Sequence, residues 1–317
     1  MARFTVTGSS GFIGANMVAR LKGEGHFVRA VDVKETPERE HLYSRADEVW
    51  TGSDLREFER AREATDGVDR VIHLAADHGG AGYFYSDADL KAAINTLRID
   101  TNVLQTAMTQ GVDRLFFASS ACTYPVDIQG KGAAPLTEDL LGDGEGEQLY
   151  GFAKRMSTKL MEESREHGFD ARSGVFHTIY GPSQDEEEPR AKFPTAICRK
   201  LLENPARVEV WGDGSQVRTF LYIDDALDKI QTVLDADSYE GPVNVGSDEQ
   251  VTVQECAEWA ADALGVSPEW VYTDGPTGVA HRASDNSEWY RRYGTEAKVS
   301  AKEGFGRLAR FMRDKRG

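Results

Sequence analysis

The 317-residue sequence predicts an α/β chain built on an open, doubly wound parallel sheet, with a smaller C-terminal part interleaved with it. Three observations carry this. A short apolar run, Arg3 to Thr7, feeds a loop whose glycines are spaced G-x-x-G-x-x-G (Gly8, Gly11, Gly14), and a helical pattern follows from Ala15 to Leu21. Strand and helix patterns then alternate through the first half. Finally, the run Arg114 to Ser119 is apolar almost throughout, as expected of a strand covered on both faces.

The elements follow in order. Phe27 to Val31 reads as a second strand and ends in Asp32. Glu48-Val49-Trp50, leading to Asp54-Leu55, is a weak third strand, and Arg56 to Thr65 a charged helix. Arg70 to Ala75 is the fourth strand, followed by Ala76-Asp77-His78-Gly79-Gly80. A long helix runs from about Asp87 to Gln110, with Leu90, Ala93, Ile94, Leu97, Thr101, Leu104 and Met108 on one side. Val126 to Gln148, rich in Gly, Pro and acids, reads as a mobile loop. A helix from Tyr150 to His167 and a sixth strand from Ala171 to Ile179 follow. Shorter units come next: Phe193–Leu202 (helix), Arg207–Val210 and Thr219–Ile223 (strands), Ala226–Leu234 (helix), Val243–Val245 (strand) and Val253–Leu264 (helix). The acidic run Ser183 to Glu188 reads as a solvated loop. The predicted division is 1–177 plus about 219–246 for the sheet, and about 178–218 plus 247–317 for the smaller part.

Composition narrows the class. Hydrophobic content of 40% and charged content of 28% are those of a globular protein. A net charge of −16 argues against nucleic acid or an anionic membrane as partner. It also means that an anionic ligand would need cations to converge on it locally. The three cysteines, Cys122, Cys198 and Cys256, are too few and too dispersed for a disulfide framework or a zinc site, so no metal is expected and reduced thiols in the cytoplasm are. The N-terminus enters a strand directly, without a signal-peptide pattern, and no apolar run approaches a membrane span.

The glycine loop carries the first chemistry. Gly8 permits a tight turn, Gly11 a close backbone approach to a pyrophosphate, and Gly14 close packing of helix on strand. The helix N-terminus then offers free N–H groups to phosphate. This is a Rossmann-type dinucleotide site. An acid ending the second strand, Asp32, accepts hydrogen bonds from a ribose diol and repels a 2′-phosphate, which predicts NAD rather than NADP. Tyr150 and Lys154 stand at i, i+4 on one helical face. An ammonium near a phenol favours the phenolate, which could remove a hydroxyl proton as hydride leaves the same carbon. Ser120, just past the fifth strand, can hydrogen-bond the reacting oxygen. Cys122 follows at the same edge as a candidate acid/base thiol.

Together, Gly8 to Gly14, Asp32, Ser120, Tyr150 and Lys154 resemble the extended short-chain dehydrogenase/reductase family. Within it, the stretches Ala75 to Gly82, Ser119 to Pro125, Phe176 to Pro182, Arg190 to Lys200, Trp211 to Phe220, Val243 to Glu249 and Gly275 to Asn286 are similar to the GDP-mannose 3,5-epimerases. The resemblance implies oxidation at C4 of a nucleotide sugar with Tyr150 as base, proton exchange at C3 and C5 by Cys122 and Lys192, and re-reduction at C4. It extends the cofactor set to Phe12, Ile13, Asp54, Leu55 and Ala75. It places Gly80, Ser120, Thr178, Lys192, Arg199, Lys200, Arg218 and Arg282 around the substrate, the last two on the diphosphate. It also implies a homodimer through the Asp87–Gln110 and Tyr150–His167 helices. The chain departs from that pattern at Thr178, where those enzymes carry Asn, at Val175 (Arg) and at Ala280 (Arg), positions that bear on sugar and base. The alternatives are an NADP(H)-dependent epimerase/reductase resembling GDP-fucose synthase, a related epimerase on another nucleotide sugar, a 4,6-dehydratase, and a non-catalytic NAD-binding protein. Asp32 and Lys192 speak against the first of these, Ala121-Cys122 against the dehydratase, and the intact Ser120, Tyr150 and Lys154 against the last.

Overall fold

The computed structural model describes residues 1–79, 83, 85–186, 191–275 and 277–316. Among the described residues, seven strands form one parallel sheet. They are β1 (Arg3–Thr7), β2 (Phe27–Val31), β3 (Glu48–Trp50), β4 (Arg70–His73), β5 (Arg114–Ser120), β6 (Ala171–Phe176) and β10 (Val243–Val245). Their order is β10-β6-β5-β4-β1-β2-β3. The chain reverses its direction of winding between β1 and β4, so a crevice opens there at the carboxyl ends of the strands. Gly8 leaves β1 with φ +67°, and a Cβ on it would stand 2.9 Å from Ala75 N beyond β4. A Cβ on Gly14 would stand 2.1 Å from Gly8 O, so only glycine lets α1 (Phe12–Gly23) start this close to the strand. The sheet is covered on both faces, one core gathering Val6, Val18 and Ile230, the other Val71, Val103, Leu115 and Met161.

Among the covering helices are α2 (Glu40–Tyr43), α3 (Phe58–Thr65), α4 (Asp89–Thr109) and α5 (Gln148–Glu166). The α4 helix meets the sheet through small or polar residues, Ala92, Thr96, Asp100, Val103 and Ala107, all buried. The expected apolar side is split: Ala93 and Leu104 are buried, whereas Leu90, Ile94 and Met108 are exposed, and so are Leu149, Phe152, Met156 and Leu160 on the adjoining α5. Among the described residues, no helix is long and apolar enough to cross a membrane.

The predicted sixth strand is two strands. At His177 the chain leaves the main sheet, and β7 (Thr178–Tyr180) pairs instead with β9 (Val217–Tyr222). His177 N–H still bonds Val245 O at 3.2 Å, and its ring lies 3.0 Å from Asn244 Oδ1, so the switch is pinned from β10. The second body also holds α6 (Phe193–Glu203) and β8 (Arg207–Trp211), then α7 (Ile223–Asp235), which covers the main sheet. Next come β11 (Gln250–Thr252), α8 (Val253–Leu264), β12 (Glu269–Thr273), β13 (His281–Arg282), α9 (Ser287–Tyr293) and α10 (Ala301–Arg316). The α8 span matches the sequence reading because both ends are written locally: Thr252 and Glu255 form a capping box, and Gly265 ends the helix at φ +72°. The α10 helix, β11, β12, β13 and α9 had no such signal. In α10 a glycine is required mid-helix, since a Cβ on Gly304 would lie 2.0 Å from the Tyr180 hydroxyl.

Two segments read as free loops are anchored. In the Val126–Gln148 stretch, Leu136 is buried and bridges Ala283 and Asp285 through its backbone, while Glu138 accepts the Asn244 N–H at 2.8 Å. In the acidic run, of which Glu187 and Glu188 lie outside the described residues, Asp185 pairs at 2.8 Å with Arg39, which is 2% exposed and also donates to Ser10 O and Ser183 O. Apolar burial of neighbours makes these loops part of the fold.

Burial of His177 holds its ring neutral, with its pKa pushed from 6.5 down to about 3. Between those values the unfolded chain takes up a proton that the folded chain refuses, so acidification destabilises the fold. The H177Q variant lacks this term. Its unfolding free energy relative to wild type is expected to rise by about 1.4 kcal/mol per pH unit as the pH is lowered below 6.5. Urea titrations at pH 6.5, 5.5 and 4.5 check this, and parallel pH profiles would remove His177 as the cause.

Candidate active site

A cleft of about 630 Å³ runs along the carboxyl edge of the sheet and beneath the second body. Its first half is the glycine loop. Gly11 N donates to Gly8 O at 3.0 Å, and no side chain caps α1, so the helix N-terminus keeps free N–H groups. Asp32, 8% exposed, accepts Ser10 N–H (2.9 Å) on one oxygen and Lys34 N–H (3.2 Å) on the other. Lone pairs remain on both oxygens. Phe12, Ile13, Leu55 and Ala75 line the same half. Asp54 lines it too, with its carboxyl held below the usual range by Arg56. These residues fit a dinucleotide: a glycine cradle, an open helix terminus and a buried diol acceptor.

Helix α5 brings in the next set. The Asp89 carboxylate accepts the N–H groups of Leu149 (2.9 Å) and Tyr150 (3.2 Å) and fixes the first turn. The Tyr150 hydroxyl is hydrogen-bonded to Ser120, and Ser120 Oγ also accepts Cys122 N–H at 3.2 Å. The expectation that Lys154 lowers the Tyr150 pKa is not met. Burial, with Cys122 and Asp100 nearby, pushes the phenol well above its ordinary range. The reason is that the Lys154 ammonium faces Asp100 Oδ2 at 3.4 Å and the Phe117 ring at 4.3 Å.

Asp100 belongs to a buried chain. Thr7 Oγ1 accepts the N–H groups of Leu74 (3.1 Å) and Ala75 (3.2 Å), so its own proton goes to His73 Nδ1, 2.7 Å away. His73 Nε2–H is then left to donate to Asp100 Oδ1 at 3.0 Å. Burial keeps the imidazole neutral, while Lys154 and His73 keep the Asp100 carboxyl ionised.

Around Cys122 lies a polar corner that the sequence reading did not contain. Glu147 Oε2 accepts from Arg282 Nη1 at 2.7 Å and from the Cys122 thiol at 3.5 Å, and its Oε1 accepts from Tyr85 OH at 2.8 Å. Burial and the Glu147 charge push the Cys122 thiol up. Arg282, expected on a diphosphate, therefore also pairs with a carboxylate beside Cys122. Its Nη2 is buried without a partner among the described residues.

Lys192, at the start of α6, lines the cleft; its carbonyl accepts from Ala196 N–H (3.0 Å) and the Thr195 hydroxyl (3.1 Å), and its Nζ makes no hydrogen bond or ion pair among the described residues. Burial lowers its pKa, against the pull of Cys122 and Asp185. Lys200, Arg218 and Thr178 also line the cleft. Arg218 is bound by the carbonyls of Val217, Thr277 and Val279, and burial with Arg282 nearby lowers its pKa to about 10. Arg199 is not on the cleft wall and pairs with Glu203 at 3.4 Å one turn along its helix. Gly80 lies outside the described residues. Beyond the expected set, the fold adds Glu147, Asp100, Asp89 and Arg39. Of these only Glu147 left a trace, an acid three residues before Tyr150.

Comparison with known proteins agrees with this geometry. Residues 4–246 match the model of the NAD dependent epimerase/dehydratase family. The chain is 36% identical over 307 residues to GDP-mannose 3,5-epimerase 1 of Oryza sativa subsp. japonica, covering 95% of this chain and 79% of that protein. It is 32% identical over 314 residues to a putative GDP-L-fucose synthase 2 of Arabidopsis thaliana, covering 96% of this chain and 89% of that one. The structure of a UDP-glucose 4-epimerase from Thermotoga maritima superposes with a TM-score of 0.88 at 23% identity, covering 99% of this chain and all of that one. The chain belongs to the NAD dependent epimerase/dehydratase family, the extended branch of the short-chain dehydrogenase/reductases.

Proposed function

We propose that the protein is an NAD-dependent, redox-neutral epimerase of a nucleotide sugar, with GDP-mannose the first substrate to test and C3 and C5 the exchanged positions. The observation that carries this is that Cys122 and Lys192 line one cleft with Ser120, Tyr150 and Lys154. The 36% identity to a GDP-mannose 3,5-epimerase supports it. Residues 1–177 plus about 219–246 would hold the cofactor, and about 178–218 plus 247–317 the sugar nucleotide.

NAD, when bound, supplies a reversible hydride acceptor at C4. The chain's own residues do the rest. Tyr150, as the phenolate that the positive charge of a bound nicotinamide would favour, would take the C4 hydroxyl proton and return it, and Ser120 would hold the oxygen by a hydrogen bond. Lys154, fixed by Asp100, would hold the nicotinamide ribose. A 4-ketone acidifies the protons at C3 and C5, which Cys122 and Lys192 exchange. Lys200, Arg218 and Arg282 are the cations available to the diphosphate. Asp32 supports NAD, since a 2′-phosphate would meet its buried carboxylate. Relatives named GDP-L-fucose synthase keep the epimerase/reductase reading as the second one, and NADPH-dependent turnover of a 4-keto-6-deoxy sugar nucleotide would favour it.

The outward apolar residues of α4 and α5 support a homodimer. A face carrying Leu90, Ile94, Leu149, Phe152, Met156 and Leu160 is what two copies would bury against each other. Light scattering is expected to give twice the 35.0 kDa chain mass and F152E the chain mass; a wild-type monomer would end this reading.

The function is tested by incubating the NAD-loaded protein with GDP-mannose in D2O. Deuterium is expected at C3 and C5, together with epimerised products. The C122A variant should keep NAD but lose exchange at one position or more; full exchange would remove Cys122 from the chemistry. No exchange in the wild type would reject GDP-mannose and send the search to other sugar nucleotides.

A further inference from the structure

Glu147 has no part in the chemistry above, yet the chain is built to bring it to Cys122. Its backbone N–H donates to Cys122 O at 2.8 Å while its side chain accepts the thiol at 3.5 Å. The glycines on either side permit this approach: a Cβ on Gly146 or Gly151 would stand 2.7 or 2.2 Å from Cys122 O. The next residue, Gln148, takes φ +57°, a left-handed conformation that a non-glycine residue adopts at a cost. Arg282 at 2.7 Å and Tyr85 at 2.8 Å hold the carboxylate from two further directions, leaving it 13% exposed.

The charged and titratable groups around the Cys122 sulfur divide into two sets. Glu147, itself held by Tyr85, and Tyr150 stand against a thiolate. Arg282, 3.8 Å from the sulfur, Arg218 and Lys192 would favour one. Without Glu147, a thiol among cations would ionise readily. With it, the nearest carboxylate accepts the thiol proton's hydrogen bond and neutralises Arg282.

We propose that Glu147 is a positioning residue that keeps the proton on Cys122, which makes Cys122 the acid and Lys192 the base of the carbon-proton exchange. This rests on the epimerase reading given above. The Lys192 amine removes the ring proton next to the 4-ketone, and the C–H electron pair passes into the enolate. The Cys122 proton then goes to that carbon, the enolate electrons form the new C–H bond, and the sulfur remains as thiolate against Arg282. Proton return from the Lys192 ammonium to sulfur through water resets the pair. Burial, which lowers the Lys192 pKa, suits it to start as the amine.

The test separates this coupling from the substrate. Iodoacetamide alkylation of Cys122 in the NAD-loaded protein, read by peptide mass spectrometry from pH 6 to 10, needs no sugar. Cys198 and Cys256 are fully buried, and C122A supplies the background. The E147Q variant is expected to move the alkylation midpoint down by about one pH unit, roughly a tenfold faster reaction near neutrality. The E147D variant, which keeps the charge, should stay near wild type. In D2O with GDP-mannose, E147Q should lose about tenfold or more in exchange kcat with little change in KM. An unchanged midpoint in E147Q overturns the proposal, as does wild-type exchange in that variant. If E147Q fails to load NAD, E147D against R282Q decides: loss of the Arg282 charge must raise the midpoint, and an unmoved midpoint overturns it equally. Should the wild-type protein exchange no ring proton on any nucleotide sugar, the epimerase reading fails and the assignment of acid and base with it, and the alkylation shift alone reports whether Glu147 holds the thiol proton.

Discussion

One fully buried carboxylate, Asp100, ties the site together. It receives His73 from β4 and Lys154 from α5, and through His73 it is connected to Thr7 at the end of β1. The glycine loop starts one residue after Thr7, so cofactor cradle and catalytic helix share one hydrogen-bonded chain. A buried carboxylate without partners would be strongly disfavoured. Here each oxygen has a donor, and the cost of burial is offset only while all three elements stay in register. The position of Lys154 is therefore a property of the sheet as much as of its own helix.

The same arrangement corrects a simple view of the Tyr-Lys pair. Spacing along a helix places the two side chains on one face, but the ammonium is directed to Asp100, and the phenol stays protonated in its buried setting. Ser120 is the partner that favours ionisation of Tyr150. Burial of the phenol, more than the nearest ammonium, defines how Tyr150 starts, and the Ser120 hydrogen bond opposes it.

Charge is handled locally against a net −16. Arg218 is solvated by three backbone carbonyls, and Arg282 by Glu147, with one of its nitrogens unpartnered among the described residues. Lys192 stands at the start of α6 without a carboxylate in contact among the described residues. A cleft built this way keeps some cationic groups incompletely satisfied, and such groups gain most from an incoming anion. The acidic remainder of the surface screens them little, because they are half-buried in the cleft wall.

What the sequence by itself determined is whatever is written in short spacing. The glycine loop, Asp32 at a strand end, the apolar β5 and the Thr252-to-Gly265 helix each carry their physical reason within a few residues. So does the grouping of Ser120, Cys122, Tyr150 and Lys154 at one sheet edge, since the ends of parallel strands must meet there. What only the tertiary structure decided depends on contacts between residues far apart. The break at His177 is set by β9 and β10, the burial of Arg39 by a loop 144 residues away, and the placement of Arg199 off the cleft by the rotation of α6. The corner formed by Glu147, Arg282 and Tyr85 around Cys122 is of the same kind. Glu147 and Arg282 read as ordinary surface charges until the fold removes most of the water from around them, and it is that desolvation which turns their proximity to Cys122 into chemistry.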